Sequence, residues 1–161
     1  MRRDPSVPWA KATPLGERGR SSRTGERSSG LRSLRGEVVV SRKKILLVDD
    51  SETVLMMEQM ILRRSYDVVT AKDGSAAVTR ALAERPDLIL LDVIMPAMDG
   101  FEACRRLRSE EATRETPIVL VTSRGEVSHR EEGFRCGCSD YITKPIDSLE
   151  LLEKVKSCLG E

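Results

Sequence analysis

Five residues in this chain could do chemistry together, and each stands at or just past the end of an apolar or mixed run. Asp49 and Asp50 follow Ile45-Leu46-Leu47-Val48. Asp92 follows Leu88-Ile89-Leu90-Leu91, with Pro96 and Asp99-Gly100 turning the chain just beyond. Thr122 follows Ile118-Val119-Leu120-Val121, and Lys144 follows the shorter mixed run from Asp140 to Thr143. Three carboxylates held close together repel one another and rise in pKa if left alone. A hard divalent cation relieves that repulsion, and Mg²⁺ takes oxygen ligands while keeping several waters. Asp49, Asp50 and Asp92 therefore read as a small Mg²⁺ site rather than as a general acid–base pair. Metal, ammonium and hydroxyl together are what a transferred phosphoryl group needs around its oxygens. Asp92 can then be the nucleophile, forming an aspartyl phosphate.

That chemistry requires the five residues to meet, and the order of elements predicts that they do. Continuous apolar runs at 45–48, 88–91 and 118–121 have the length and character of strands buried on both faces. Mixed runs at 66–70 and 140–143 read as edge strands. A helical stretch follows each strand. Ser51 caps the first helix, with Glu52 in its first turn and a stripe of Val54, Met57 and Ile61. The second helix rests on Ala77, Val78, Ala81 and Leu82. The third starts near Gly100 and buries Phe101, Cys104 and Leu107. The fourth runs roughly from Glu126 to Arg135, with Val127 and Phe134 as its core candidates and Gly137 closing it. Asp147 or Ser148 caps the last helix, whose stripe is Leu149, Leu152, Val155 and Leu159. Five strand-then-helix units make a parallel sheet covered on both faces. Placing the mixed strands at the edges gives a doubly wound (βα)5, flavodoxin-like α/β fold of strand order 2-1-3-4-5. In that fold all strand ends deliver their residues to one edge, where ligands bind beside the switch between the first and third strands. A single acid after a strand is ordinarily a helix cap or a solvated turn; three acids, a threonine and a lysine on one edge are a site.

Composition bounds the rest. The chain of 161 residues is 39% hydrophobic and 33% charged with only 3% aromatics, so an aliphatic core is expected. A net charge of +1 argues against strong binding to nucleic acid or an anionic membrane surface. No apolar run approaches the roughly 18 residues of a membrane span, and the N-terminus lacks the apolar stretch of a secretory signal. A cytoplasmic setting is expected. Residues 1–41 differ in character from residues 42–161: they are rich in arginine, serine, glycine and proline, without apolar period, and read as a disordered basic segment. They hold nine Arg and Lys against four Asp and Glu. The readings open for them are a basic arm, an inert tail, or a start-site artefact with translation beginning near Val40-Ser41. Cys104, Cys136, Cys138 and Cys158 fit neither a disulfide scaffold nor a zinc pattern; Cys136 and Cys138 are close enough in sequence for a metal or redox pair, but read as small apolar fillers of a turn.

Residues 42–160 resemble a response-regulator receiver domain of two-component signalling. The resemblance rests on Ile45-Leu-Leu-Val-Asp-Asp50, Leu90-Leu-Asp-Val-Ile-Met-Pro-Ala-Met-Asp-Gly-Phe-Glu102, Pro117-Ile-Val-Leu-Val-Thr-Ser123 and Gly137-Cys-Ser-Asp-Tyr-Ile-Thr-Lys-Pro145. It implies that Asp92 accepts phosphate from a histidine kinase or phosphotransfer protein. It implies that Asp50, Asp92 and the backbone carbonyl of Ile94 bind Mg²⁺ directly, with Asp49 acting through water. Thr122 and Lys144 would hold the phosphoryl oxygens, and Tyr141 occupies the aromatic switch position. Phosphorylation would then change the surface of the fourth helix, fifth strand and fifth helix, which a downstream target protein reads. Through the same face receivers dimerise weakly or remain monomers. Cys136, Cys138 and Ser123 stand where the family usually carries alanine or another small residue, and the segment from Gly125 to Arg130 is atypical. Ile94 and Arg124 lie at positions that modulate loss of phosphate, and their bulk predicts slow self-dephosphorylation.

Either a stand-alone receiver or a fragment of a larger regulator is expected, and in the stand-alone case one without direct DNA binding. The rival readings are a pseudo-receiver scaffold that binds protein without phosphorylation, and an enzyme such as an aspartate-nucleophile phosphatase. Retention of all five site residues speaks against the scaffold. The phosphatase needs a second acid two residues past the nucleophile, where this chain has Ile94, so turnover of an external substrate is not expected. A nucleotide site is not expected either, for want of a glycine-rich phosphate loop.

Overall fold

The computed structural model describes residues 32–34, 37–39, 41–123 and 127–161. Five strands, β1 (Lys44–Val48), β2 (Asp67–Ala71), β3 (Leu88–Asp92), β4 (Ile118–Ser123) and β5 (Asp140–Lys144), form one parallel sheet of order β2-β1-β3-β4-β5. Five helices alternate with them: α1 (Glu52–Leu62), α2 (Gly74–Glu84), α3 (Gly100–Ser109), α4 (Val127–Cys136) and α5 (Ser148–Leu159). This is the predicted architecture, with the mixed strands at the two edges. Of the N-terminal segment read as disordered, Arg32–Leu34 and Glu37–Val39 pair as a short antiparallel ladder. The rest of residues 1–40 lies outside the described residues, as does Arg124.

The two-residue period of the strands divides the core. Leu46, Ile89, Leu91, Ile118 and Leu120 pack with Ala77, Ala81, Phe101, Cys104 and Leu107, under α2 and α3. Ile45, Leu47, Leu88, Leu90, Val119 and Ile142 pack on the other face with Leu55, Leu62, Leu151 and Val155 of α1 and α5. Because both faces are covered, β3 is buried along its whole length. Each of four helices starts on an oxygen-bearing cap: Ser51, Asp73, Asp99 and Asp147 accept backbone N–H groups of their own first turns.

Three stripes differ from the sequence reading. On α1 the core-facing residues are Leu55, Glu58 and Leu62, whereas Met57 is 38% exposed. Apolar residues surround this helix almost completely, so their period does not set its rotation; the fit of Leu55 and Leu62 against the sheet does. Phe134 of α4 is exposed and meets Tyr141 edge to ring, while Gly133 and Cys136 face the core. Leu149 in the first turn of α5 is 71% exposed, and Leu151 takes its place inside.

Candidate functional site

Parallel register brings the strand ends into line: Val48 lies opposite Leu91, Asp92 opposite Val121, and Ser123 opposite Lys144. The residues at those ends are Asp49, Asp92, Thr122 and Lys144, and the first three are buried, at 1%, 4% and 5% exposure. Asp50, next along from Asp49, is exposed. One carboxylate oxygen from each of Asp49, Asp50 and Asp92 lies within 4.8 Å of the others. Lys144 Nζ reaches Asp49 Oδ2 at 3.2 Å and Asp92 Oδ1 at 3.3 Å. All five predicted residues therefore arrive at one edge, and Lys144 bridges two of the acids directly.

Local chemistry fixes the loops. The second oxygen of Asp49 accepts the Ser51 N–H at 2.8 Å, which ties the acid to the start of α1. Past Asp92 the chain turns through Pro96 and Ala97, the latter at φ 65, and re-enters α3 at Gly100, whose N–H donates to the Val93 carbonyl at 2.8 Å. A Cβ on Gly100 would stand 2.2 Å from the Asp92 carbonyl oxygen, so only glycine lets α3 start this close to the acid. Ile94, two residues past Asp92, is 55% exposed. The Lys144–Pro145 peptide bond is cis. Tyr141 on β5 is half-buried, with Phe134 at 6.5 Å between ring centroids and Lys154 Nζ 5.7 Å from its own.

The electrostatics are those of a site short of positive charge. Burial and the neighbouring Asp49 push the Asp92 carboxyl up from 3.8 to about 6, and Lys144 only partly offsets them. Burial works against the ammonium of Lys144, but Asp92 and Asp49 outweigh it and raise its pKa. One ammonium among three carboxylates leaves an oxygen-only donor set with a net negative charge, which fits a hard divalent cation. Sequence reasoning missed a fourth acid. Glu58 of α1 is 2% exposed, its Oε2 has no hydrogen-bond partner, and burial together with Asp49 raises it from 4.5 to about 8. No local signal marked it, because apolar residues all round α1 leave the rotation of the helix open.

A sheet of order 2-1-3-4-5, with an acid cluster and a lysine at its switch point, belongs to the doubly wound class in which ligands bind outside the carboxyl ends of the strands. Residues 45–156 match the response regulator receiver domain, and the chain belongs to that family, the receiver domains of two-component signalling. It is 44% identical over 115 residues to the response regulator PleD of Caulobacter vibrioides, covering 71% of this chain and 25% of PleD. The protein PilH of Pseudomonas aeruginosa is 35% identical over 118 residues, covering 73% of this chain and 98% of PilH. Among solved structures, the receiver domain of a Pseudomonas aeruginosa sensor histidine kinase, with a magnesium ion coordinated in its active site cleft, superposes with a TM-score of 0.70. It is 33% identical and covers 75% of this chain and all of that one. The chain thus spans a quarter of PleD and nearly all of PilH. No helix among the described residues is long and apolar enough to cross a membrane.

Proposed function

We propose that this chain is a phosphoacceptor: Asp92 takes a phosphoryl group from the phosphohistidine of a histidine kinase or phosphotransfer protein. The observation that carries the reading is the buried Asp92 carboxylate with Lys144 Nζ 3.3 Å away and two further acids beside it. In the transfer, an Asp92 carboxylate oxygen forms a bond to phosphorus as the P–N bond breaks, and the imidazole nitrogen keeps the electron pair. Asp49, Asp50, Asp92 and the Ile94 carbonyl would hold Mg²⁺, with Asp49 acting through water, and the cation supplies charge neutralisation for the incoming oxygens. The magnesium reported for the Pseudomonas receiver supports that assignment. Lys144 exchanges its carboxylate partners for a phosphoryl oxygen, and Thr122 supplies a hydroxyl to another. As Thr122 is drawn in, Tyr141 turns, and the surface of α4, β5 and α5 shifts between two states. A downstream target protein reads that surface, the same face supports at most a weak dimer, and the setting is cytoplasmic. The working unit is residues 42–160.

The test is intact mass after incubation with acetyl phosphate, with and without Mg²⁺, on wild type and Asp92→Asn. One added phosphoryl group, absent from the variant and absent without Mg²⁺, is expected. No added mass while Mg²⁺ stabilises the fold would refute small-donor phosphorylation and favour a binding scaffold.

A further inference from the structure

Large apolar side chains of α1 and α5 lie outside the core. Met56, Met57 and Met60 of α1 are 63%, 38% and 64% exposed, and Leu149 in the first turn of α5 is 71% exposed. The three methionines, with Thr53, Ile61 and Ser148, line a hollow of about 550 Å³ between α1 and the start of α5. The two helices lie side by side on one face of the sheet, so the hollow is part of a furrow between them. Leu55, Leu62, Leu151 and Val155 already fill the core beneath. The methionines are left over from it, and an exposed apolar patch of this kind marks a contact surface.

The chain enters the fold at the other end of the same furrow. The Arg42 guanidinium donates to the carbonyl of Arg63, the C-cap of α1, at 2.5 Å. The Lys43 ammonium donates to the carbonyl of Leu159, the last residue of α5, at 2.9 Å. Arg42 and Lys43 therefore pin the chain between the ends of the two helices whose first turns flank the hollow. The short antiparallel ladder sets Arg32 opposite Val39, and so hands residues 1–31 back to within a few residues of that entry. Along α1, Met60 is about 5 Å and Met56 about 10 Å from Arg63 at the helical rise. Residues 10–31, which separate Trp9 from Arg32, can span up to about 70 Å, so reach is not limiting.

We infer that this furrow is the docking site of the chain's own N-terminal segment, with Trp9 seated among Met56, Met57 and Met60. Chemistry selects that occupant. Trp9 is the only tryptophan of the chain and stands in Val7-Pro8-Trp9-Ala10, an apolar stretch of an otherwise polar segment. Methionine thioethers make favourable contacts with aromatic rings, and their unbranched side chains adapt to what they bind. An indole buries a large apolar face but keeps an N–H that needs a partner, and the hydroxyls of Thr53 and Ser148 edge the hollow. Charge agrees with the assignment. Residues 1–31 hold seven Arg and Lys against three Asp and Glu, while Asp50, Asp147 and Glu150 stand at the starts of the two helices. Because the segment is tethered beside the furrow, the contact is intramolecular and forms at an affinity too weak for a separate partner. The docking does not depend on the phosphoacceptor reading. With that reading, the docked segment also covers the approach to the acid cluster along α1, which begins just after Asp50.

With a single tryptophan, the fluorescence of the full-length chain reports on this contact alone. The free peptide of residues 1–31 serves as the reference for an exposed indole. The expected result is emission shifted to the blue of the peptide's, weaker quenching by acrylamide, and no change of either on dilution. The double variant Met56→Lys with Met60→Lys, at exposed positions, should return both readings to those of the peptide while leaving the urea midpoint in place. Ala112→Lys, in the loop after α3 on the opposite face, should behave as wild type. Wild-type emission and quenching equal to the peptide's would overturn the proposal, and this comparison needs no variant. A blue shift that survives the double variant would also overturn it, since Trp9 would then be buried elsewhere. A blue shift that fades on dilution as a dimer dissociates would overturn it in favour of a second copy as the occupant.

Discussion

Replacing Glu58 by glutamine should make the domain more stable, and increasingly so as the pH rises. The carboxyl is 2% exposed, its Oε2 has no partner, and its pKa climbs from 4.5 to about 8. Burial is the first cause and repulsion by Asp49 the second, with Lys144 pulling the other way and Asp92 adding to the repulsion. The sign follows from linkage. The folded state binds the proton more tightly than the unfolded state, so the contribution of Glu58 to stability is fully present below pH 4.5. It is lost as the pH rises through about 8. The whole window corresponds to about 5 kcal/mol, of which about 3 kcal/mol is already lost at neutral pH.

The assay is urea unfolding of wild type and Glu58→Gln at pH 5, 7 and 9, taking the difference between the two proteins at each pH so that other titrations cancel. Glutamine has nearly the same shape and never ionises. The difference should therefore be small at pH 5 and should favour the variant by several kcal/mol at pH 9. Glu58→Leu, which also removes the buried polar atoms, should be more stable than wild type at every pH. Adding Mg²⁺ should narrow the gap only partly, because a cation at the strand ends offsets Asp49 and Asp92 but not burial. A difference that does not change with pH would show that Glu58 titrates normally, and the account of a buried, uncompensated acid under the site would fail.

Four other outcomes are expected. Arg108→Met should cost about 3 kcal/mol in unfolding free energy, because three backbone carbonyls on the turns after α3 and α4 lose their donor. An unchanged urea midpoint would refute that. Gly100→Ala should cost about 3 kcal/mol or more and weaken Mg²⁺ binding, since the added methyl displaces the backbone of Asp92 and Val93; calorimetry with Mg²⁺ tests both effects. Metal and proton compete for Asp92, so the rise in melting temperature on adding Mg²⁺ should shrink as the pH falls through about 6, and a shift equal at pH 5 and 7.5 would contradict this. Ile94 should slow the attack of water on a phosphorylated Asp92, so Ile94→Asn should shorten the lifetime of the phosphate followed by mass spectrometry. A half-life of seconds in the wild type would contradict the premise.

Why some of this was legible in the sequence and some was not comes down to which physical constraint dominates. Strand ends were legible because a strand buried on both faces has to be apolar without interruption, and the first polar residue after it marks the edge of the sheet. Asp49, Asp92 and Thr122 follow that rule, and β1, β3 and β4 begin and end within a residue or two of the reading. Helix caps were legible for a similar local reason, since an oxygen-bearing side chain satisfies the free N–H groups of the first turn. Helix rotation was not local. On α1, seven of the eleven residues are apolar, so a stripe through Val54, Met57 and Ile61 and one through Leu55 and Leu62 fit the period equally well. The sheet beneath chose the second, and that choice put Glu58 inside. Arg108 illustrates the same limit: its partners lie on two turns, 5, 8 and 29 residues along the chain, and no spacing in the sequence encodes a guanidinium reaching three carbonyls at once. The acid that was missed matters more than the apolar residues that were misassigned. Exchanging Met57 for Leu55 leaves the same oil against the same sheet, whereas turning Glu58 inward adds a proton-binding group whose charge is felt at Asp49, Lys144 and Asp92. The chemistry of the strand ends is therefore coupled to a residue on a helix whose orientation periodicity leaves open.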